Sequence, residues 1–408
     1  MTGLKTCRAR ISEGLVVVWE PTSCKSTKRY IRRILAELIR INSVNPAFSG
    51  GTTSERAIAE YVDAALTRLG LETVRYEPLP GRTSVVGRLP GSGGGRSLLL
   101  YAHLDTVGIE GMPDAFSADI REGRMYGRGA YDMKGSLAAC LAGIKALVDA
   151  GVRLAGDLLV VGVADEEEAS IGMVEVLRHH TADAAIVTEP TELGVCLAHK
   201  GFCWIEVETL GHAAHGSRYQ EGVDANLRMG RFLARLEQLE QELRTRSPHP
   251  RVGPPSLHAA TLQGGTGLST YAAHCRVGIE RRTIPGETPA QVLAEIQQII
   301  DALAAEDPTF RARASLLLAR NAWEAAADSP VTEAVMHAAA RVLGREPRAL
   351  GAPYWMDAAL LGAAGIDMVG IVPTGAVPHA AEEWVDLESV VQLAQVLAHT
   401  AVSFCGSE

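Results

Sequence analysis

Between about residue 28 and residue 197 the chain alternates short runs that are apolar at nearly every position with longer stretches of helical spacing. The runs are SLLLYAHLD, DLLVVGVADEE and DAAIVTEP, and MKGSLAACLAGIKALVDAG is a representative helix between them. A strand covered on one face alternates apolar with polar residues, whereas a continuously apolar run must be covered on both. The pattern predicts an α/β layer, a mostly parallel sheet flanked by helices. A similar run, DMVGIVPTGAVPH, returns at residue 367, so the layer is interrupted and then completed by the C-terminal segment.

The periodicity changes between about residues 200 and 318. In FCWIEVETL, Cys203, Ile205 and Val207 alternate with Trp204, Glu206 and Glu208, the two-residue period of a half-exposed strand. Met229, Phe232, Leu233, Leu236 and Leu243 mark a helix face. SLHAATLQ and HCRVGIERR then read as strands, AQVLAEIQQIIDAL as a helix and FRARASLLLA as a strand. The order β-α-β-β-α-β predicts a ferredoxin-like α+β module, a small sheet with its helices on one side, inserted into the larger layer. The resulting division is 28–199 and 319–408 for the layer, 200–318 for the insert, and 1–27 as an N-terminal extension with no clear periodic pattern.

Composition narrows the function. With 408 residues, 47% of them hydrophobic, the chain can fill two cores. A net charge of −9 and the lack of a Lys/Arg run argue against nucleic acid or an anionic membrane as partner and leave a small molecule. LVVVW near the start is too short for the core of a signal peptide, and no stretch is long enough to span a bilayer. The seven cysteines show no C-x-x-C spacing, which fits reduced thiols in the cytoplasm.

Four of the apolar runs end in residue types that ligate metals: His103 and Asp105 after LLLYA, Glu166 and Glu167 after LLVVGVAD, Glu189 after AAIVT, and His379 after VGIVPTGAVP. In open α/β sheets the carboxyl ends of the strands converge on one crevice, so residues distant in sequence become neighbours. Asp132 joins them from a Gly-rich turn, GRMYGRGAYDMKGS. Each alone has a plain explanation: a strand-end histidine that is simply hydrogen-bonded, an N-capping aspartate, a solvated acidic loop at 166–168. Together, two histidines and three carboxylates drawn from these positions form a cysteine-free N/O set suited to Zn²⁺, with Co²⁺ or Mn²⁺ as alternatives. Five protein ligands exceed what one catalytic zinc takes; two ions roughly 3.5–4 Å apart, sharing a carboxylate, would use them all.

The ordered blocks YAHLDTV, MYGRGAYDMKG, ADEEEASIG, TEPT, HKG, GHAAHGS, GGT, RRTIPGE and PHAAEEWV carry a resemblance. The chain is similar to the dinuclear zinc amidohydrolases and metallopeptidases that include acetylornithine deacetylase, succinyl-diaminopimelate desuccinylase, aminoacylase and carboxypeptidase G. The likeness spans nearly everything after residue 28 and implies a zinc-exopeptidase-like layer with a dimerisation, or lid, insert. At the matching positions Asp132 would bridge two metal ions, with His103 and Glu189 on one and Glu167 and His379 on the other. Asp105 would accept the far imidazole N–H of His103 and hold its orientation. Glu166 would act as general base and acid, while its neighbours Asp165 and Glu168 read as a loop carboxylate and a solvated side chain.

In the insert, the resemblance gives His215 the task of stabilising the oxyanion in the partner subunit's site, and Arg282 that of binding a substrate carboxylate. Without it, His215 reads as a surface-loop histidine and Arg282 as one half of a strand-end salt bridge. Gly264 and Gly265 match a turn that lets backbone approach substrate. Departures from the family are Ser269 where Asn is common, Ala272 for Pro, and Asp224 for Asn. Glu189, where carboxypeptidase-like members tend to carry Asp, tilts toward the deacetylase and desuccinylase branch.

The implied function is a cytoplasmic, homodimeric, metal-dependent hydrolase that cuts the amide of an N-acyl amino acid through a bridging hydroxide, with Glu166 as base. A dipeptidase or carboxypeptidase on the same scaffold is the first alternative. A metal-free binding protein is the second, and it requires a missing ligand or base where none is missing.

Overall fold

The computed structural model describes residues 10–12, 16–18, 21–189, 192–326, 328–375 and 379–408. Two units emerge: Met1–Leu197 with Ala325–Leu350 and Met356–Glu408, and Ala198–Glu324 with Gly351–Trp355.

Parts of the expected N-terminal extension, residues 1–9, 13–15 and 19–20, lie outside the described residues. The helix that follows spans Pro21–Arg40 and so begins upstream of the apolar stripe at Ile31, Ile34, Leu35, Leu38 and Ile39 that announces it in the sequence. Its first turn carries no such stripe, and a proline suits a first turn because its missing N–H would be unpaired there anyway.

In the first unit the strands lie in the order Val195–His199, Asp367–Ile371, Ala184–Val187, Leu98–His103, Leu158–Val163, Arg82–Leu89 and Glu72–Leu79. The middle strands, from Asp367–Ile371 to Leu158–Val163, are parallel, and the outer pairings are antiparallel. Every residue of Leu98–His103 and Leu158–Val163 is buried, as runs apolar at each position require. The α/β expectation therefore holds, and the C-terminal run supplies a central strand.

Helices Gly135–Asp149 and Leu387–Cys405 pack against each other along small residues. A Cβ on Gly143 would stand 3.0 Å from the Ala394 carbonyl, so the glycine permits the close approach. Because the central strands are parallel, their carboxyl ends share one edge, where His103, Asp165 to Glu167, and Glu189 emerge.

The second unit runs Gly201–Leu210, helix Ala225–Thr245, Ser256–Gly264, His274–Thr283, helix Pro289–Glu306 and Arg311–Arg320. Its antiparallel sheet has the order Ser256–Gly264, His274–Thr283, Gly201–Leu210, Arg311–Arg320. Phe232, Met229, Leu236, Ile296, Ile300 and the inward residues Cys203, Ile205 and Val207 form its core. Thr288 closes a capping box with Gln291. Asp224, a departure from the family pattern, caps the other helix by accepting from the N–H groups of Asn226 and Leu227.

Candidate metal centre

His103 is the last residue of its strand and is 1% exposed. Asp132 reaches it from a turn that opens on Gly129, at φ +77°, and keeps non-helical backbone angles through Asp132 and Met133, so the following helix starts only at Gly135. Asp132 Oδ1 lies 3.0 Å from His103 Nε2, and its Oδ2 lies 3.7 Å from His379 Nε2. Glu189 Oε1 stands 3.7 Å from the same His103 nitrogen, and Glu167 Oε2 stands 3.2 Å from His379 Nε2. The two imidazoles thus flank a single carboxylate. All five candidate ligands come together, although Pro190 and Thr191 after Glu189 and Ala376 to Pro378 before His379 lie outside the described residues.

Glu166 is drawn into the same cluster: one oxygen of its carboxyl, a His103 nitrogen and an oxygen of Glu189 lie within 4.8 Å of one another. Desolvation, reinforced by the Glu189 charge, holds the Glu166 carboxyl well above the ordinary range. Desolvation and the charge of Asp132 do the same to Glu189, and desolvation raises Glu167. For His103 burial is the largest influence and lowers the pKa, but the Asp132 hydrogen bond and the Glu189 charge outweigh it and leave it well above its usual value. Four carboxylates crowd two imidazoles. The buried Oε1 atoms of Glu167 and Glu189 have no hydrogen-bond partner among the described residues. A divalent cation would answer both conditions, neutralising the charge and occupying the idle lone pairs, so the residues fit the expected metal.

Asp105 differs from expectation. His103 Nδ1 lies 3.0 Å from the main-chain oxygen of Asp105 but 3.8 Å from its carboxylate. The carboxylate instead accepts the main-chain N–H groups of Glu166 and Glu167, each at 3.1 Å, and the Asn45 amide at 2.8 Å. The physical reason is demand: the turn after Leu158–Val163 presents two buried N–H groups that need an acceptor, while the imidazole is already served by a carbonyl. Asp105 therefore holds the turn that carries Glu166 and Glu167.

Asp165 is a loop carboxylate, as read, but one turned inward. It is buried, at φ +71°, accepts from Asn45 at 3.0 Å and is ion-paired with Arg82, which also meets Glu55 at 3.1 Å. Burial pushes the Glu55 carboxyl up to about 8. Glu168 is exposed, as read. Sequence reasoning missed Asn45, Glu55 and Arg82; the signal available was a charged residue opening the almost wholly buried strand Arg82–Leu89. It also left Asp357 unassigned; that side chain accepts from Tyr101 Oη at 2.7 Å, and burial raises its carboxyl to about 6.

In the second unit His215 is exposed, with Nδ1 2.8 Å from Ser217 Oγ. Its loop is tied to the one bearing Ser269: Gly216 N–H donates to the Ser269 carbonyl at 2.7 Å, and Tyr271 N–H to the Ala214 carbonyl at 3.0 Å. Gly265, at φ +77°, stands at the start of that second loop, where a Cβ would sit 3.2 Å from the Asn226 amide. Arg282 is elsewhere. It pairs with Glu280 at 2.9 Å and lies over the Phe202 ring. Phe202 is opposite Arg282 and Leu210 opposite His274, so Arg282 and the His215 loop occupy opposite ends of the sheet. At about 3.3 Å per residue the separation is on the order of 25 Å.

A family model described as peptidase family M20/M25/M40 matches residues 99–403. An acetylornithine deacetylase of Myxococcus xanthus is 30% identical over 390 residues, covering 92% of this chain and 98% of that protein. Among solved structures, a tripeptidase from Staphylococcus aureus subsp. aureus Mu50 is similar at a TM-score of 0.76 and 18% identity, covering 93% of this chain and 98% of that one. The YXEP protein of Bacillus subtilis, a dinuclear metal binding peptidase, is similar at 0.73 and 16%, covering 94% and 100%. At these identities the structural likeness carries the fold alone.

Proposed function

The chain belongs to peptidase family M20/M25/M40 and is a metal-dependent hydrolase, and from this premise we propose that it hydrolyses the amide of an N-acyl amino acid to a carboxylate and a free amine. The observation that carries the reading is the placement of Asp132, with one oxygen toward His103 and the other toward His379, and with idle carboxylate oxygens on Glu189 and Glu167. Such a set would hold two divalent ions, zinc first, with cobalt or manganese as alternatives. His103, Asp132 and Glu189 would take one, and Glu167, Asp132 and His379 the other. When bound, the ions supply Lewis-acid polarisation of the scissile carbonyl and lower the pKa of water.

The chain's own residues supply the proton transfers and the binding. Glu166, held in place by the main-chain hydrogen bonds to Asp105, takes a proton from the attacking water and returns it to the leaving amine. His215 donates a hydrogen bond to the developing oxyanion, and Arg282 holds the substrate carboxylate, with Gly265 and Ser269 beside the His215 loop as flanking contacts. Since His215 and Arg282 lie at opposite ends of one sheet, the reading takes the protein as a homodimer in which His215 serves the partner's site, with residues 200–318 as the dimerisation insert. Cys140, Cys196, Cys203, Cys275 and Cys405 are buried and free, which supports a reducing compartment, the cytoplasm. Among the described residues no helix is long and apolar enough to cross a membrane.

Deacylation stands first because the acetylornithine deacetylase relative aligns over 92% of the chain. A peptidase is the second reading, favoured by the peptidase family model that matches residues 99–403. The test uses chelated protein reloaded with Zn²⁺, Co²⁺ or Mn²⁺ and assayed on N-acetyl, N-succinyl and N-formyl amino acids and on di- and tripeptides. Turnover is expected to return with metal and to be highest on N-acyl amino acids. Higher turnover of peptides moves the assignment to the second reading, and none on either class with two ions bound ends both.

A further inference from the structure

Three segments that bear candidate ligands meet at one buried ion pair. The side chains of Arg128 and Glu383 are 3% and 1% exposed, and Arg128 Nη1 donates to Glu383 Oε2 at 2.7 Å. The same oxygen accepts the Gly129 N–H at 3.0 Å, while Oε1 accepts those of Tyr131 at 2.9 Å and Asp132 at 3.0 Å. Every lone-pair position of the carboxylate is used, and the main-chain donors all come from the turn that carries Asp132. Arg128 spends its remaining nitrogens on carbonyls, Nε on Gly108 at 2.8 Å and Nη2 on Ala380 at 3.1 Å. Gly108 lies just beyond Asp105, and Ala380 directly follows His379. A buried pair recovers its desolvation cost only when its hydrogen bonds are nearly complete. Here they are, and the groups they hold are the backbone on either side of the candidate ligands.

We propose that Arg128 and Glu383 are positioning residues, a latch that sets Asp132 and His379 in mutual register so that one ion can be gripped by both. The inference rests on the metal-dependent reading above; neither side chain is itself a candidate ligand. Glu383→Gln keeps size and shape but turns an NH₂ group toward N–H donors, which frees the Asp132 turn or leaves Arg128 without its counter-charge. Arg128→Lys keeps the charge but lacks the planar fork that reaches two carbonyls and a carboxylate at once.

The experiment takes full-length wild type, Glu383→Gln and Arg128→Lys, reloads each with Zn²⁺, and measures stoichiometry by elemental analysis and affinity by chelator competition. Circular dichroism reports the fold, and steady-state kinetics follow on the best substrate found. The latch predicts a folded Glu383→Gln protein that binds one of its ions about 10–100-fold more weakly, with kcat reduced and KM nearly unchanged. Arg128→Lys moves in the same direction by less, and it decides the matter if Glu383→Gln does not fold. Wild-type stoichiometry and affinity in the folded variants, whatever their melting temperatures, overturn the latch and leave the hydrolase reading intact. Wild type that takes up no metal overturns the hydrolase reading, and the latch with it.

Discussion

Glu166 sits within reach of His103 and Glu189, yet neither close imidazole–carboxylate pairing in the site needs it. Replacing it by glutamine is therefore expected to leave both ions bound while kcat drops at least ~10²-fold, the range for loss of a general acid and base; elemental analysis beside steady-state rates checks this. A second residue speaks to stability. His199 is wholly buried, with Nδ1 2.8 Å from the Lys200 carbonyl, and burial lowers its pKa from the usual 6.5 to about 4. Above pH 6.5 it is neutral in both folded and unfolded chains and contributes no pH dependence. As the pH falls from there toward 4, only the unfolded chain takes the proton, so stability is lost. His199→Phe removes this term. Urea unfolding of both proteins at pH 7 and pH 4.5 is expected to show the variant gaining on wild type by up to about 3 kcal/mol at the lower pH. The candidate ligands could be picked out because histidines and carboxylates stand out after apolar runs. The residues that hold them were not: Asn45, Arg82 and Glu383 act through hydrogen bonds to main chain or to side chains far off in sequence, and no spacing encodes that.

At the scale of elements, legibility followed the covering of each strand. Leu98–His103 and Leu158–Val163 are apolar throughout because they are buried on both faces, and Gly201–Leu210 alternates because its sheet is half open. The antiparallel hairpin of Glu72–Leu79 and Arg82–Leu89 gave a weaker signal, since its outer strand is largely exposed and mixes polar with apolar residues without a clean period. Register shifts near Ala259 and Trp204 are likewise invisible to a two-residue rhythm. Helix Pro289–Glu306 offers a direct test, because Thr288 accepts the Gln291 N–H while Gln291 reaches back to the Thr288 N–H. Thr288→Ala is expected to lower the unfolding free energy by about 1 kcal/mol, read as a shifted urea midpoint with unchanged slope.

For the whole molecule, the opposite placement of Arg282 and the His215 loop turns the proposed dimer into a complementation experiment. Arg282→Ala and His215→Ala should each silence the homodimer, whereas subunit exchange between them should restore turnover at the one site that draws an intact Arg282 from its own chain and an intact His215 from the other. Mixed dimers, verified by mass spectrometry, that stay silent would exclude action across the interface. The sheet itself carries a different consequence. Asp367–Ile371 lies between Val195–His199 and Ala184–Val187, and His379 follows it. A ribosome must therefore release nearly the entire polypeptide before that slot is filled, and until then the nascent chain shows bare strand edges to solvent. Premature termination anywhere upstream would yield a fragment that is both inert and prone to aggregate.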